Sequence, residues 1–369
     1  MKMIFTAILL SFFFFKICAA ETGEVTPRTE EGWNWFDTAD WQTGGQGWSE
    51  GIGHYMRIPD RAIASLPPGY CKYANNTAGL YFLFRTDAEA IRIRVKLTSG
   101  NLAMEHMPAT GVSGFDLYAR GETGNWQWIG INYPSAQNET ADLVTGLSGT
   151  MNEYKLLLPL YNGVESLEIG VPESASFEPE TPDIRKPVFQ YGSSIDHGGC
   201  ASRPGNCYSA VMSRRLDYPF INFGFSGSAC LEPEVAELIA ETDPALFLIA
   251  TLNATSDQVA ERGIRFIEII REKHPQTPIV IIGNYSVMNR WGRPETDAEY
   301  RAKCKEVDAL YRHFAENGDK NIFQVDTAGF CGEETDWDGT VDGLHPNDLG
   351  MRRYADRVEP VLRKILKIE

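Results

Sequence analysis

Hydrophobic positions in the first half of the chain come in short runs, and clusters of turn-forming residues such as Gly121–Asn125 separate them. The runs are either continuously apolar or alternate between apolar and polar residues, which is typical of β-strands. They are Leu80–Phe84, Ile91–Val95, Phe115–Tyr118, Trp126–Ile131, Tyr154–Leu160 and Val164–Ile169. The region from about Trp33 to Val171 is therefore predicted to be an antiparallel β-sandwich or jelly roll.

The pattern changes after Pro172–Pro187, a stretch rich in proline and acidic residues that disfavours helices and central strands. Beyond it, apolar strands alternate with amphipathic helices, which predicts a parallel sheet covered on both faces. The predicted strands are Val188–Tyr191, Phe220–Phe223, Ala245–Ala250, Ile279–Ile282 and Ile322–Val325. The predicted helices are Cys207–Leu216, Glu232–Glu241, Gln258–Lys273, Ala298–Asn317 and Asp348–Leu366.

The N-terminus has the features of a secretory signal peptide: Lys2, an apolar run over Met3–Phe15 and the small residues Ala19 and Ala20. Cleavage after Ala20 is preferred over lipidation of Cys18. The apolar run is too short for a membrane span, and no other segment approaches the length that a span needs. We therefore expect an exported protein that is periplasmic or extracellular and has no stable membrane insertion. The predicted division of the chain is a leader at 1–20, a first domain at 21–185 and a second domain at 186–369.

Charge and cysteine content bear on which ligands and cross-links the protein is expected to have. Loss of the two leader lysines changes the net charge from −16 to −18. A chain this acidic is not expected to bind nucleic acid or an anionic membrane surface. Six cysteines remain, an even number that permits disulfides in an exported chain, although buried free thiols are an equal alternative. No spacing of Cys and His is typical of a structural zinc site.

Polar residues that suit acyl transfer follow several of the predicted strands. Ser194, Gly227 and Asn253 come after the first, second and third strands, and Asp342 and His345 precede the last helix. Chemistry in such sheets is found at the carboxyl ends of the strands. A serine nucleophile needs a base, and the base needs a carboxylate that orients it. The N–H groups of Ser194 and Gly227 and the Asn253 amide are candidate oxyanion donors. The pattern predicts a serine esterase that needs no metal or organic cofactor.

Four stretches carry these residues in order: Gly192-Ser193-Ser194-Ile195, Asn222–Gly227, Leu252-Asn253 and Asp342–Pro346. Together they resemble the four blocks of the SGNH (GDSL-like) hydrolase family. The resemblance implies a three-layer, flavodoxin-like α/β domain with Ser194, Asp342 and His345 as the triad. It also implies an oxyanion hole made by Ser194, Gly227 and Asn253. The third block departs from the GxND pattern, because Thr251-Leu252-Asn253-Ala254 keeps the amide but not the Gly or the Asp.

Two further stretches resemble one branch of that family. Gly114-Phe115-Asp116-Leu117-Tyr118 is similar to the GxDLY signature of its N-terminal β-domain, and Gly198–Gly205 is similar to the segment after its nucleophile. The branch usually has Thr-Gln where Asp196 and His197 stand here. The second imidazole, His197, is therefore a candidate to contact substrate, hold a water or compete as the base, and Arg203 is a second candidate near the substrate. Cys207 and Cys230 are unusual for the branch, and their pairing is one hypothesis.

The resemblance implies an ester hydrolase that removes a short acyl group, acetyl in particular, from a carbohydrate. Its expected partner is an acylated small molecule or polysaccharide. One alternative is a lipase or lysophospholipase. Another is a catalytically silent glycan-binding protein, although most tryptophans of a β-sandwich belong to its core. The sequence gives no indication of an oligomeric state.

Overall fold

The computed structural model describes residues 26–121, 124–251, 253–283, 287–326, 330 and 338–368. Within these residues, ten strands, β1 to β10, precede residue 181. They form two five-stranded antiparallel sheets, ordered β1-β2-β9-β4-β7 and β10-β3-β8-β5-β6. The strands are β1 (Arg28–Glu30), β2 (Trp33–Asp37), β3 (Tyr81–Thr86), β4 (Ala90–Leu97), β5 (Asp116–Arg120), β6 (Trp126–Ile131), β7 (Asn138–Thr145), β8 (Asn152–Leu157), β9 (Val164–Pro172) and β10 (Phe177–Glu180).

One hydrophobic cluster fills the space between the two sheets. In β4 the buried residues alternate with Arg92, Arg94 and Lys96, so one face of the strand points into the core and the other towards solvent. The predicted β-sandwich is confirmed. β10 lies within the proline-rich segment, and it is an edge strand, the place in a sheet where a proline such as Pro179 is tolerated.

Five parallel strands follow: β11 (Val188–Gly192), β12 (Phe220–Gly224), β13 (Leu246–Ala250), β14 (Ile279–Ile282) and β15 (Ile322–Val325). Their order, β12-β11-β13-β14-β15, is the flavodoxin-like order 2-1-3-4-5. The first four strands are buried at every residue, as expected of a sheet covered on both faces. The predicted parallel-sheet domain is confirmed.

Helices cover this sheet on both sides. In chain order the helices are α1 (Asp60–Ile63), α2 (Pro68–Lys72), α3 (Ala109–Val112), α4 (Ser194–His197), α5 (Tyr208–Leu216), α6 (Pro233–Ile239), α7 (Ser256–Lys273), α8 (Pro294–Glu316) and α9 (Asp348–Leu366). One face of the sheet packs against α6, α7 and α8, together with α1 and α2 from the N-terminal half. The other face packs against α5 and α9. The N-terminal half therefore supplies part of the cover of the parallel sheet.

Strands β1, β2, β7 and β10 and helices α1 to α4 were not predicted. β7 lies at a sheet edge and is mostly exposed, so its sequence lacks the apolar alternation of its neighbours. Helix α8 begins at Pro294, earlier than predicted, because proline fits the first turn of a helix. Within the described residues, no helix combines the length and apolarity needed to cross a membrane. The proposed leader, Leu252 and Cys331 lie outside the described residues.

Candidate active site

The turn between β11 and α4 brings Ser194 to the carboxyl edge of the parallel sheet. Gly192 ends the strand, and a Cβ added there would collide with the Asp196 carboxyl group. That carboxylate accepts the N–H of Ser193 at 2.9 Å, which fixes the turn. Ser194 is the first residue of α4, and 8% of it is exposed. Its hydroxyl is therefore presented at the sheet edge on a rigid support.

Ser194, His345 and Asp342 form a continuous hydrogen-bonded chain. The Ser194 Oγ lies 2.9 Å from His345 Nε2, and His345 Nδ1 lies 2.7 Å from Asp342 Oδ2. Both distances are normal for hydrogen bonds. When Nδ1–H donates to Asp342, Nε2 is free to accept the serine proton. Residues 151 positions apart thus have the geometry of a nucleophile with an oriented base.

Asp342 is held by backbone donors as well as by the imidazole. Its Oδ1 accepts the N–H groups of Leu344 at 3.0 Å and of His345 at 2.8 Å. Partial burial acts to raise the pKa of Asp342, but the hydrogen bonds from His345 and Leu344 outweigh it and lower the pKa to about 2. The carboxylate is therefore ionised and fixed at neutral pH, as is required to orient His345.

Gly227 and Asn253 lie on the loops that follow the next two strands. Gly227 has a φ of +73°, and a Cβ added there would meet no atom within 4 Å, so its surroundings are open. The Asn253 Nδ2 donates to Ser193 Oγ at 2.7 Å and to the Ser228 carbonyl. The amide thus lies between the nucleophile turn and the Gly227 turn. To donate to an oxyanion, Asn253 must share or exchange one of these bonds.

A buried polar network holds the loop that follows Gly227. Ala229 and Leu231 both have positive φ, which is strained for residues with a side chain. Their N–H groups donate to the hydroxyls of Tyr70 and Tyr191 at 3.1 and 3.0 Å. Both hydroxyls donate to Glu232 Oε2 at 3.0 Å. These residues had no signal in the sequence, and Tyr70 comes from the N-terminal half.

Both halves of the chain match the models of known protein families. Residues 185–363 match the model of the GDSL-like lipase/acylhydrolase family, and residues 33–177 match that of the GxDLY N-terminus of SGNH-hydrolase-type esterases. A structure from Bacteroides ovatus ATCC 8483, assigned as a GDSL-like lipase, is 30% identical, with a TM-score of 0.86 and coverage of 91% of this chain and 99% of its own. This chain belongs to the GDSL-like lipase/acylhydrolase family.

More distant structures share the fold of this GDSL-like hydrolase. The salicylyl-acyltransferase SsfX3 of a tetracycline biosynthetic pathway is 20% identical, with a TM-score of 0.68 and coverage of 94% of each chain. A family two carbohydrate esterase from Cellvibrio japonicus is 12% identical, with a TM-score of 0.58 and coverage of 91% of this chain and 98% of its own. Comparison with curated protein sequences gives no match.

His197 lies in the interior of this GDSL-like hydrolase. It is fully buried, and its Nε2 donates to the Leu160 carbonyl at 2.7 Å. Its ring stacks on Tyr161 at 4.0 Å, and the Tyr161 hydroxyl donates to the Ser194 carbonyl at 3.2 Å. Burial, followed by the charge of Arg57, holds the pKa of His197 well below its usual value. The imidazole is therefore neutral and packs in the protein interior, and its expected contact with substrate stays a prediction.

Arg203 lies at the interface between the two domains, where it binds residues of the N-terminal domain. Its Nη1 donates to Asp116 Oδ2 at 2.7 Å and to the Tyr118 hydroxyl at 2.5 Å, so it binds the Asp and Tyr of the GxDLY motif. Asp116 is fully buried and also accepts the Gly205 N–H at 2.8 Å. Burial raises the pKa of Asp116, although Arg203 opposes that shift. The GxDLY motif thus secures the loop that follows the nucleophile helix, and a substrate contact of Arg203 stays a prediction.

Replacing Arg203 with alanine is expected to destabilise the protein by about 3 kcal/mol, because it leaves the Asp116 charge buried without its partner. Urea unfolding measures the change. The control is Arg301→Ala, which removes an exposed pair with Asp297 on α8 and should cost about 0.5 kcal/mol. Equal losses in the two variants would contradict this role of Arg203.

Cys207 and Cys230 are both free thiols, so the hypothesis that they pair is wrong. Cys207 is buried, with its Sγ 3.3 Å from the Ser209 hydroxyl. The Cys230 Sγ instead donates to the Asn253 carbonyl at 3.6 Å. Burial raises the pKa of both thiols. Across the part of the chain that the structure describes, no cluster of three or more His, Cys, Asp or Glu side chains is arranged to hold a metal ion.

Proposed function

We propose that this GDSL-like hydrolase is an exported serine esterase that removes short acyl groups, acetyl in particular, from carbohydrates. The observation that carries the esterase part is the hydrogen-bonded chain from Ser194 through His345 to Asp342. Export is inferred from the sequence of the first 20 residues.

The proposed reaction has two halves. Ser194 Oγ attacks the ester carbonyl while His345 Nε2 takes the hydroxyl proton, and the N–H groups of Ser194 and Gly227, with the Asn253 amide, stabilise the oxyanion. His345 then gives the proton to the leaving alcohol, and an acyl-Ser194 ester remains. Water attacks this ester with His345 again as the base, which releases the acid and restores the serine. Asp342 stabilises the imidazolium in both halves.

Two features support a polar, sugar-like substrate over a long-chain lipid. The side chains around the nucleophile include the polar, partly exposed residues Ser226 and Asn253, and the Ser226 hydroxyl lies 3.3 Å from that of Tyr161. The chain also shares its two-part fold with the family two carbohydrate esterase described above. A catalytically silent glycan-binding protein, by contrast, has no need of a serine bonded to an oriented imidazole.

Acetate release from a panel of acetylated polysaccharides and oligosaccharides tests the proposal, with Ser194→Ala as the blank. We expect release from at least one glycan, and the highest kcat/KM for the acetyl member of a series of nitrophenyl esters. A preference for octanoyl or longer esters would support the lipase alternative. Cleavage of short synthetic esters with no release from any glycan would retain the mechanism and overturn the carbohydrate assignment.

A further inference from the structure

A tight turn from the β-sandwich reaches the candidate active site. Met104 and Met107 form an isolated antiparallel bridge, with N–H to carbonyl distances of 2.9 and 3.1 Å in the two directions. Glu105 and His106 are thereby placed at its exposed tip. Met107 is buried in the same hydrophobic cluster as Ile195, the residue after the nucleophile. The turn is therefore anchored to the hydrolase domain at its base.

The residues after the turn fix it further. The Thr110 hydroxyl donates to the Ser202 carbonyl at 2.7 Å. A Cβ added at Gly111 would collide with the Ala201 carbonyl, so the two backbones are in direct contact there. The turn therefore has a defined position relative to the nucleophile loop.

His106 lies beside the catalytic base. The centroids of its ring and the His345 ring are 6.1 Å apart, and the ring planes are inclined at 42°. The His106 side chain is exposed, and no residue in the described ranges forms a hydrogen bond with its imidazole. An imidazole can both donate and accept. A hydrogen-bonding group is therefore available next to the place where His345 acts.

The position of His106 relative to the triad indicates which part of the substrate it meets. His345 gives its proton to the oxygen of the leaving alcohol, so the alcohol lies on the imidazole side, whereas the acyl oxygen lies towards Gly227 and Asn253. We propose that His106 binds the alcohol part of the ester through a hydroxyl adjacent to the acylated position. This inference rests on the proposed esterase function and identifies a specificity residue supplied by the N-terminal domain.

Two small acetyl esters separate this role from general catalysis. 1-Acetylglycerol has a hydroxyl on the carbon next to the one that carries the acetyl group. Propyl acetate is the matched acetyl ester without hydroxyls. For His106→Phe we expect kcat/KM on 1-acetylglycerol to fall about tenfold, the usual effect of one hydrogen bond, and kcat/KM on propyl acetate to change less than about twofold. His106→Gln, which keeps a donor and an acceptor, should recover most of the loss.

The control is His313→Phe, which makes the same change at an exposed histidine of α8 and should alter neither ester. Equal losses on both esters in His106→Phe would mean that the ring acts through His345, and no loss on either would mean that it touches no substrate. Both results overturn the proposal. Neither ester is a sugar. A failure to deacetylate any glycan would therefore refute the carbohydrate assignment, and the comparison of the two esters would still test the role of His106.

Discussion

Ser194→Ala is expected to lower kcat for short esters by about 10⁴- to 10⁶-fold, the usual range for loss of the nucleophile from a serine triad. The Ser194 hydroxyl is bonded to His345 Nε2, and alanine leaves the base with no proton to take. Steady-state hydrolysis of nitrophenyl acetate measures the change. Mass spectrometry of the protein treated with a fluorophosphonate should show the adduct on Ser194 in the wild type and no adduct in the variant.

Ser193→Ala is the matched control, because it removes the same atom from the neighbouring residue. The Ser193 hydroxyl accepts the Asn253 amide and is not bonded to His345, so we expect activity within about tenfold of wild type, as for the loss of one hydrogen bond. If Ser193→Ala were inactive and Ser194→Ala active, the assignment of the nucleophile would be reversed.

Asp342→Asn is expected to lower kcat by about 10³- to 10⁴-fold with the fold intact, as in triads whose carboxylate becomes an amide. The amide can donate to His345 Nδ1, which favours the tautomer with the proton on Nε2, and that tautomer cannot accept the serine proton. The wild-type pKa of Asp342 is about 2, so its carboxylate stays charged at every pH above about 4. Any decline of wild-type kcat between pH 8 and pH 5 should therefore not come from Asp342.

The control for this variant is Asp356→Asn on α9, which alters an exposed pair with Arg215 and should leave kcat unchanged. Thermal unfolding by circular dichroism shows whether both variants remain folded. A kcat for Asp342→Asn within tenfold of wild type would show that the carboxylate does not orient the base.

The grouping of the candidate catalytic side chains at the sheet edge could be predicted from the sequence. Ser194 and Asn253 directly follow buried strands, and parallel strands end at a common edge, so their proximity follows from the fold class alone. The Asp342 to His345 spacing lies within one loop and needs no long-range information. The core of the β-sandwich could also be predicted from the sequence, because apolar and polar residues alternate clearly in β4 and its neighbours.

The surroundings of His197 and Arg203 were missed for one reason, which is that contacts between the two halves leave no periodic signal. His197 is three residues from Ser194, yet its surroundings are set by Leu160 and Tyr161. Arg203 pairs with Asp116, 87 positions earlier. The turn that carries His106 has no distinctive composition, and only its packing against the hydrolase domain shows where it lies.

The two tyrosines that support the site from the N-terminal half have a consequence for how such proteins can be recombined. Tyr161 donates to the main chain of Ser194, and Tyr70 holds the strained backbone at Ala229. A chimaera that joined residues 187–369 to an unrelated leading module would inherit the whole triad but neither tyrosine. The hydrolase half is thus not a portable unit, and changes on either side of the boundary have to be accommodated by the other.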